Sequence, residues 1–256
     1  MPLSSPGPRR RTLRIAAAGD IHSHEANRDQ IVDAFSRLEG EVDLLLLAGD
    51  LTSLGTVEEA EIACAAAERV AVPVFAVLGN HDWQADQAGE IAARLRGTGI
   101  RLLDREAAIC QVDGLEVGIV GVKGFVGGFA PRHLPDFGEP LLRALYAETT
   151  AEVAALDAKL HEVATCPVRI VLLHYSPVEE TLEGEPREIF PLLGSDRLAA
   201  PILEHGPDLV VHGHAHAGAP RGRIGGVPVY NVSLPVNGND FWRLDLEVPH
   251  LHSPIP

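Results

Sequence analysis

The stretch from Val42 to Asp50, VDLLLLAGD, constrains this chain more than any other. Four consecutive leucines leave no polar face. Such a run suits a strand buried on both sides, although periodicity alone leaves a helical segment open. Ala48-Gly49 then narrows the chain, and Asp50 arrives where the strand must end. A carboxylate at the mouth of an apolar strand is costly unless something positive meets it. Taken alone, a Gly-Asp pair also reads as a turn or a helix-capping aspartate.

The same grammar recurs along the chain. Leu13 to His22 reads LRIAAAGDIH, Pro73 to Asp82 reads PVFAVLGNHD, Val168 to His174 reads VRIVLLH, and Pro207 to His216 reads PDLVVHGHAH. With the leucine run, five apolar stretches end in Asp, Asn or His. In open α/β sheets ligands bind outside the carboxyl ends of strands, so these endings can converge on one place. They offer oxygen and nitrogen and no thiolate, a set that suits Mn²⁺, Fe or Zn²⁺ over a soft metal.

Taken in order, these endings resemble the motifs of the calcineurin-like metallophosphoesterase family. Asp20 and His22 match D-x-H, Gly49-Asp50 matches G-D, and Gly79-Asn80-His81-Asp82 matches G-N-H-D. A lone His174 and Gly213-His214-Ala215-His216, for G-H-x-H, complete the pattern. Each motif is weak alone, but the ordered set from Asp20 to His216 is specific. The resemblance implies a four-layer α/β/β/α sandwich of two mixed β-sheets flanked by helices. It also implies two divalent transition metals, Mn²⁺ first, with Fe or Zn²⁺ as alternatives.

By the same resemblance, Asp20, His22 and His216 hold one metal, Asn80, His174 and His214 hold the other, and Asp50 bridges them. One shared carboxylate can hold two cations about 3.5–4 Å apart. His214 and His216 point the same way if their segment is extended, and His212, outside the motif, then faces away. Any one of these histidines alone has a structural alternative. His81 resembles the family's general acid, and Asp82 receives no ligand role. The expected reaction is hydrolysis of a phosphodiester in a small substrate, by in-line attack of a metal-bridging hydroxide. Metal binding can lower the pKa of water from 15.7 to about 7. The alternatives are a phosphomonoesterase or pyrophosphatase acting on a nucleotide or sugar phosphate, and a non-catalytic scaffold, which the complete ligand set disfavours.

One departure bears on the choice. The phosphoprotein-phosphatase branch reads G-D-x-x-D-R-G, where the later Asp orients the catalytic His and the Arg holds phosphate. Here Ser53 and Leu54 stand at those two places. That argues against a protein phosphatase and leaves open what orients His81. Ser53 also speaks against the purple acid phosphatase branch, which carries a metal-ligating Tyr in this loop.

The bulk of the chain sets the remaining bounds. Its 256 residues, 46% hydrophobic, suffice for one large core. A single domain is expected over 12–248, between a disordered tail at 1–11 and a short tail at 249–256 carrying His250 and His252. A net charge of −15 is a poor match to extended nucleic acid or an anionic membrane. No apolar run is long enough to cross a bilayer. Cys64, Cys110 and Cys166 are isolated, as expected of buried thiols in a reduced compartment. Arg9-Arg10-Arg11 is reminiscent of a twin-arginine signal, but cleavage would fall inside the metal site, so a cytoplasmic protein is expected. Oligomeric state is not legible.

The periodicity predicts helices at Glu25–Leu38, Val57–Val70, Ala85–Arg96, Pro140–Ala164 and Asp196–Glu204. Strands are expected at Leu13–Ala18, Pro73–Leu78, Val168–Leu173, Leu209–Val211 and Phe241–Leu246. Hairpins are expected at Ala107–Val120, with a type I′ turn at Asp113-Gly114, and at Arg223–Tyr230, with Pro228 on a sheet edge. The glycine-rich stretch Gly121–Pro140 reads either as a lip that selects substrate, through Lys123 or Arg132, or as a variable surface loop. His24 either lines the substrate pocket or stands on a solvated loop.

Overall fold

Alternate side chains of the central strands feed two different apolar layers, and this alternation sets the architecture. The computed structural model describes residues 11–238 and 240–248. Of the expected tails at 1–11 and 249–256, residues 1–10 and 249–256, His250 and His252 included, lie outside the described residues, whereas Arg11 begins the first strand. In chain order the elements are β1 (Arg11–Ala18), α1 (Arg28–Ser36), β2 (Leu44–Ala48), α2 (Val57–Ala67), β3 (Val74–Val77) and α3 (Ala88–Gly97). Then come β4 (Arg101–Leu102), β5 (Glu106–Val112), β6 (Leu115–Gly121), β7 (Gly128–Phe129), β8 (Arg132–His133) and α4 (Pro140–Glu162). The last part holds β9 (Val168–Leu172), α5 (Phe190–Leu193), α6 (Ala199–His205), β10 (Leu209–His212), β11 (Arg221–Ile224), β12 (Val227–Asn231) and β13 (Trp242–Val248).

One sheet has the order β13-β1-β2-β3-β4 and is parallel except where β13 joins β1. The other has the order β11-β12-β10-β9-β6-β5, parallel in the middle and antiparallel at both ends. Leu44 and Leu46 enter a core between the sheets, with Ile15, Ile119, Ile170 and Val211. Leu45 and Leu47 face the other way, into a core with Phe35 of α1, Ile62 of α2 and Ile91 of α3. Leu156 and Leu160 of α4 and Ile202 of α6 cover the outer face of the second sheet. The result is the expected helix–sheet–sheet–helix sandwich. The leucine run is a strand because both of its faces have an apolar layer to fill. Burying each leucine is worth roughly 1.5–3 kcal/mol, so a charge at any of these positions would be poorly tolerated.

Local differences from expectation have local causes. The first expected helix begins as a separate 3-10 turn, Glu25–Asn27, before α1. The helix expected from Asp196 likewise opens as a 3-10 turn, Asp196–Leu198, before α6. Asp113 and Gly114 both have positive φ and join the paired Val112 and Leu115, as a type I′ hairpin requires. Pro228 is not on an edge strand, because β12 lies between β11 and β10. The β10 ladder begins only at Val229, so Pro228 costs no bond on that side. Gly121–Pro140 is not structureless, since it contains the end of β6 and the small β7–β8 hairpin.

Candidate metal centre

The parallel strands of both sheets release the chain sharply at their carboxyl ends, and the loops beyond those ends make the site. Asp20 and His22 follow β1, Asp50 follows β2, Asn80 and His81 follow β3, His174 follows β9, and His214 and His216 follow β10. Asp20, His22, Asp50 and His214 have φ of 58°, 45°, 51° and 70°, four of the seven non-glycine residues in that region among those described. Asp and His tolerate this conformation better than most residues, and such strain gathers at functional sites. Gly49 and Gly79 make the room. A Cβ on Gly49 would stand 2.5 Å from His174 Nδ1, and one on Gly79 would stand 2.1 Å from Asp50 Oδ1.

All seven residues of the expected ligand set come together. Ligand atoms of Asp20, His22 and His216 lie within 4.8 Å of one another, as do those of Asp50, His174 and His214. His22, Asp50 and His81 form a third such group between them. His216 Nε2 is 3.0 Å from Asp20 Oδ1, and His22 Nε2 is 3.9 Å from Asp50 Oδ2. Asn80 Oδ1 lies 2.9 Å from His174 Nε2, which is 3.5 Å from Asp50 Oδ1. His212 is apart from this set. It is buried, with Nδ1 against the Gly213 carbonyl and Nε2 against Thr181 Oγ1, each at 2.8 Å.

Three features of the donor set fit a cation. Asp20 and Asp50 are buried, and their described ion pairs are with histidines only. His174 Nδ1–H donates to the Ala48 carbonyl at 2.9 Å, so in the neutral ring the Nε2 lone pair faces the oxygens of Asn80 and Asp50. Three acceptors turned on one another repel unless a positive centre lies among them. His22 Nε2 is buried with no hydrogen-bond partner among the described residues. Burial pushes His214 down to about 3 and pushes His22 down as well. Both rings are therefore held neutral, the form a metal requires. His216 goes the other way, raised by its bond to Asp20. Asp20 lies well below the usual carboxylate range: burial opposes this, but the bond to His216 and the His214 N–H outweigh it.

The group behind His81 is a backbone carbonyl. His81 Nδ1–H donates to the Ser53 carbonyl at 2.7 Å, which turns Nε2 away from that contact. Ser53 Oγ in turn donates to the His22 carbonyl at 2.7 Å. A main-chain oxygen thus stands where the phosphatase branch uses an aspartate. Asp82 is fully buried and ties the two loops together. It accepts from Thr52 N, Thr52 Oγ1, Gly79 N and Leu51 N at 2.9, 2.7, 2.8 and 3.3 Å.

The residues expected to touch substrate are scattered. His24 is exposed, and its Nδ1 lies 2.9 Å from the His22 carbonyl, at the start of the 3-10 turn. Lys123 Nζ lies over the Phe125 and Tyr175 rings, 4.3 and 5.3 Å from their centroids, and burial lowers its pKa. Arg132 is exposed on β8, and no described contact brings it to the ligand set. Tyr175 was not anticipated. Its ring lies 4.5 Å from that of His214, and its backbone N–H, like that of His174, donates to the Lys123 carbonyl. Its only signal in the sequence is its place after a ligand.

A family profile described as calcineurin-like phosphoesterase matches residues 13–218. Among solved structures, the chain is similar to a phosphopantetheinyl hydrolase from Mycobacterium tuberculosis, at 18% identity and TM-score 0.65, covering 86% of this chain and 88% of that one. It is similar to the protein TT1561 of Thermus thermophilus, at 17% identity and TM-score 0.59, covering 93% and 100%. A putative 5′-nucleotidase from Staphylococcus aureus matches at 16% identity and TM-score 0.55, over 86% of this chain but 48% of its own. At these identities the likenesses establish the fold. No curated protein sequence matches the chain.

Proposed function

The chain belongs to the calcineurin-like phosphoesterase family of metal-dependent phosphoester hydrolases, and from that premise we propose that it hydrolyses phosphodiesters of small substrates with two transition metals. The observation that carries this reading is the cluster itself, in which acceptor atoms of two buried carboxylates, four histidines and Asn80 face one another. Asp20, His22 and His216 would hold one metal, Asn80, His174 and His214 the other, and Asp50 both, with Mn²⁺ preferred over Fe or Zn²⁺. Bound there, the metals supply Lewis acidity and a water that ionises near neutral pH.

The protein's own groups do the rest. The His174 Nδ1–H bond to Ala48 fixes that ring for Nε2 ligation. The Ser53 carbonyl fixes the Nδ1–H tautomer of neutral His81, and a second proton on Nε2 makes the ring a donor to the leaving oxygen. Asp82 keeps the loops carrying Asp50 and Asn80 in register. The diester preference rests on charge. A monoester dianion carries one more charge, and phosphate recognition favours a bidentate arginine. No described ion pair or hydrogen bond joins an arginine to the ligand set, and Leu54 is exposed where the phosphatase arginine would stand.

The same reading takes residues 12–248 as one catalytic domain of a cytoplasmic protein. No helix among the described residues is long and apolar enough to cross a membrane. The competing reading, a phosphomonoesterase on a nucleotide, draws on the neighbour named a putative 5′-nucleotidase. The deciding measurement is kcat/KM for matched mono- and diesters of one alcohol under saturating Mn²⁺. A monoester preference of about tenfold, roughly 1.4 kcal/mol in transition-state binding, reverses the choice.

A further inference from the structure

Beside the metal cluster a cavity of about 270 Å³ opens between α1 and the turn leading into β13. Asp20 and His22 form its inner wall, so it is continuous with the candidate centre. Its floor is apolar: Ile21, Ile31, Ala34, Phe35, Leu234 and Phe241. Pro235 and four polar residues, Asn27, Gln30, Arg37 and Asp240, complete the lining. Three of the polar residues have partners, Arg37 and Asp240 only a loose, solvent-exposed one. The Asn27 amide accepts from the His24 N–H at 2.9 Å and donates to the His22 carbonyl at 3.1 Å. Arg37 and Asp240 face each other at 3.8 Å. The Gln30 amide makes no hydrogen bond among the described residues, so one donor–acceptor pair is left for a ligand. Gln30, Ala34 and Arg37 share one face of the helical stretch, which spans roughly 10 Å between Gln30 and Arg37.

We propose that this cavity receives an organic group esterified to the substrate phosphate, and that the group is compact and apolar with one amide-type function. The proposal rests on the phosphoesterase reading and names the substrate class of that same site. The phosphate would lie against Asp20 and His22, the apolar body over Ala34 and Leu234, and the amide against Gln30. A polyol such as a sugar fits poorly. Each hydroxyl desolvated on this floor without a partner costs roughly 1–3 kcal/mol, and Gln30, Arg37 and Asp240 stand exposed at the rim, away from the floor. This places specificity on α1, away from the Gly121–Pro140 segment.

The test uses methyl phosphodiesters of three alcohols: 3-(hydroxymethyl)benzamide, benzyl alcohol and glycerol. With Mn²⁺ bound, kcat/KM for the benzamide ester should exceed that for the glycerol ester by about tenfold or more. Ala34→Trp fills the cavity and should bring that ratio close to one. Gln30→Ala should remove the advantage of the benzamide ester over the benzyl ester. A wild-type protein that prefers the glycerol ester, or an Ala34→Trp variant with an unchanged ratio, overturns the proposal. Saturation-transfer NMR with free 3-(hydroxymethyl)benzamide reads the cavity without hydrolysis. Binding by the wild type that is lost in Ala34→Trp supports the cavity even where no ester is cleaved, a result that sinks the phosphoesterase reading instead. Absence of binding to the wild type overturns the cavity proposal.

Discussion

Replacing Asp82 tests whether a buried carboxylate holds the catalytic loops together. Its two oxygens serve three backbone N–H groups and one hydroxyl. Asp82→Ala orphans all of them, and an unsatisfied buried donor costs about 1–3 kcal/mol. The Leu51 bond, at 3.3 Å, is the weakest, so we count the Thr52 and Gly79 bonds in full and it in part. The expected loss is about 3–9 kcal/mol, comparable to the 5–15 kcal/mol typical of a domain.

Asp82→Asn separates hydrogen bonding from charge. Its carbonyl can serve Gly79 and Leu51 while its NH₂ faces Thr52, whose hydroxyl turns to accept. Only the Thr52 N–H is then left without a partner. The neutral amide also escapes the burial and the Asp50 charge that push the Asp82 carboxyl up. The expected loss is therefore only about 1–2 kcal/mol. Urea unfolding of the metal-free proteins gives both values, and elemental analysis shows whether the loosened loops still hold metal. If the Asn variant is as unstable as the Ala variant, or if both match the wild type, the stapling account is wrong.

Asp50→Ala should lose both metals, whereas His214→Ala should lose one; full occupancy in the Asp50 variant by elemental analysis removes the bridging assignment. His81→Ala should keep both metals and lose about 10²–10⁴ in kcat on poor leaving groups, with smaller losses on nitrophenyl esters; equal losses across a leaving-group series count against a general acid. Glu152 of α4 accepts from Arg105 Nε and from the Gly124 N–H, each at 2.9 Å, yet burial pushes its carboxyl up more than Lys123, Gly124 and Arg105 pull it back. A carboxyl raised in the folded state binds its proton first there. The stability difference between the wild type and Glu152→Gln should therefore shift in favour of the wild type as pH falls from the folded pKa towards about 4.3, and level off below. The opposite slope in pH-dependent unfolding refutes it.

What the sequence disclosed was what its letters encode directly. Apolar runs ending in Asp, Asn or His located the strands, and the resemblance of those endings to the family's motifs supplied the seven ligand candidates. The pairing of Leu44 and Leu46 with one layer, and of Leu45 and Leu47 with another, was implied once the run was taken as a strand buried on both faces. The cavity was hidden because its walls, Gln30 and Leu234, are brought together only by the β1/β13 pairing and the turn before it. The part-buried contact between Arg105 and Glu152 was hidden for the same reason, since it spans 47 residues with no motif to announce it.

The support for His81 was hidden for a different reason. Looking for a second carboxylate after Asp50 finds Ser53 and concludes that the orienting group is missing. The structure supplies that group from the main chain, which every residue carries and no letter reports. A carbonyl can accept the Nδ1–H as a carboxylate does, but it brings no negative charge to stabilise the protonated ring. With Ser in place of Asp, His81 is therefore oriented by a neutral acceptor. What Ser53 must keep is the position of its carbonyl, and its hydroxyl bond to His22 ties that carbonyl to the chain of a ligand. The loop that departs from one branch at Ser53 thus holds His81 by a different hydrogen bond, while Leu54 leaves the arginine's place unfilled.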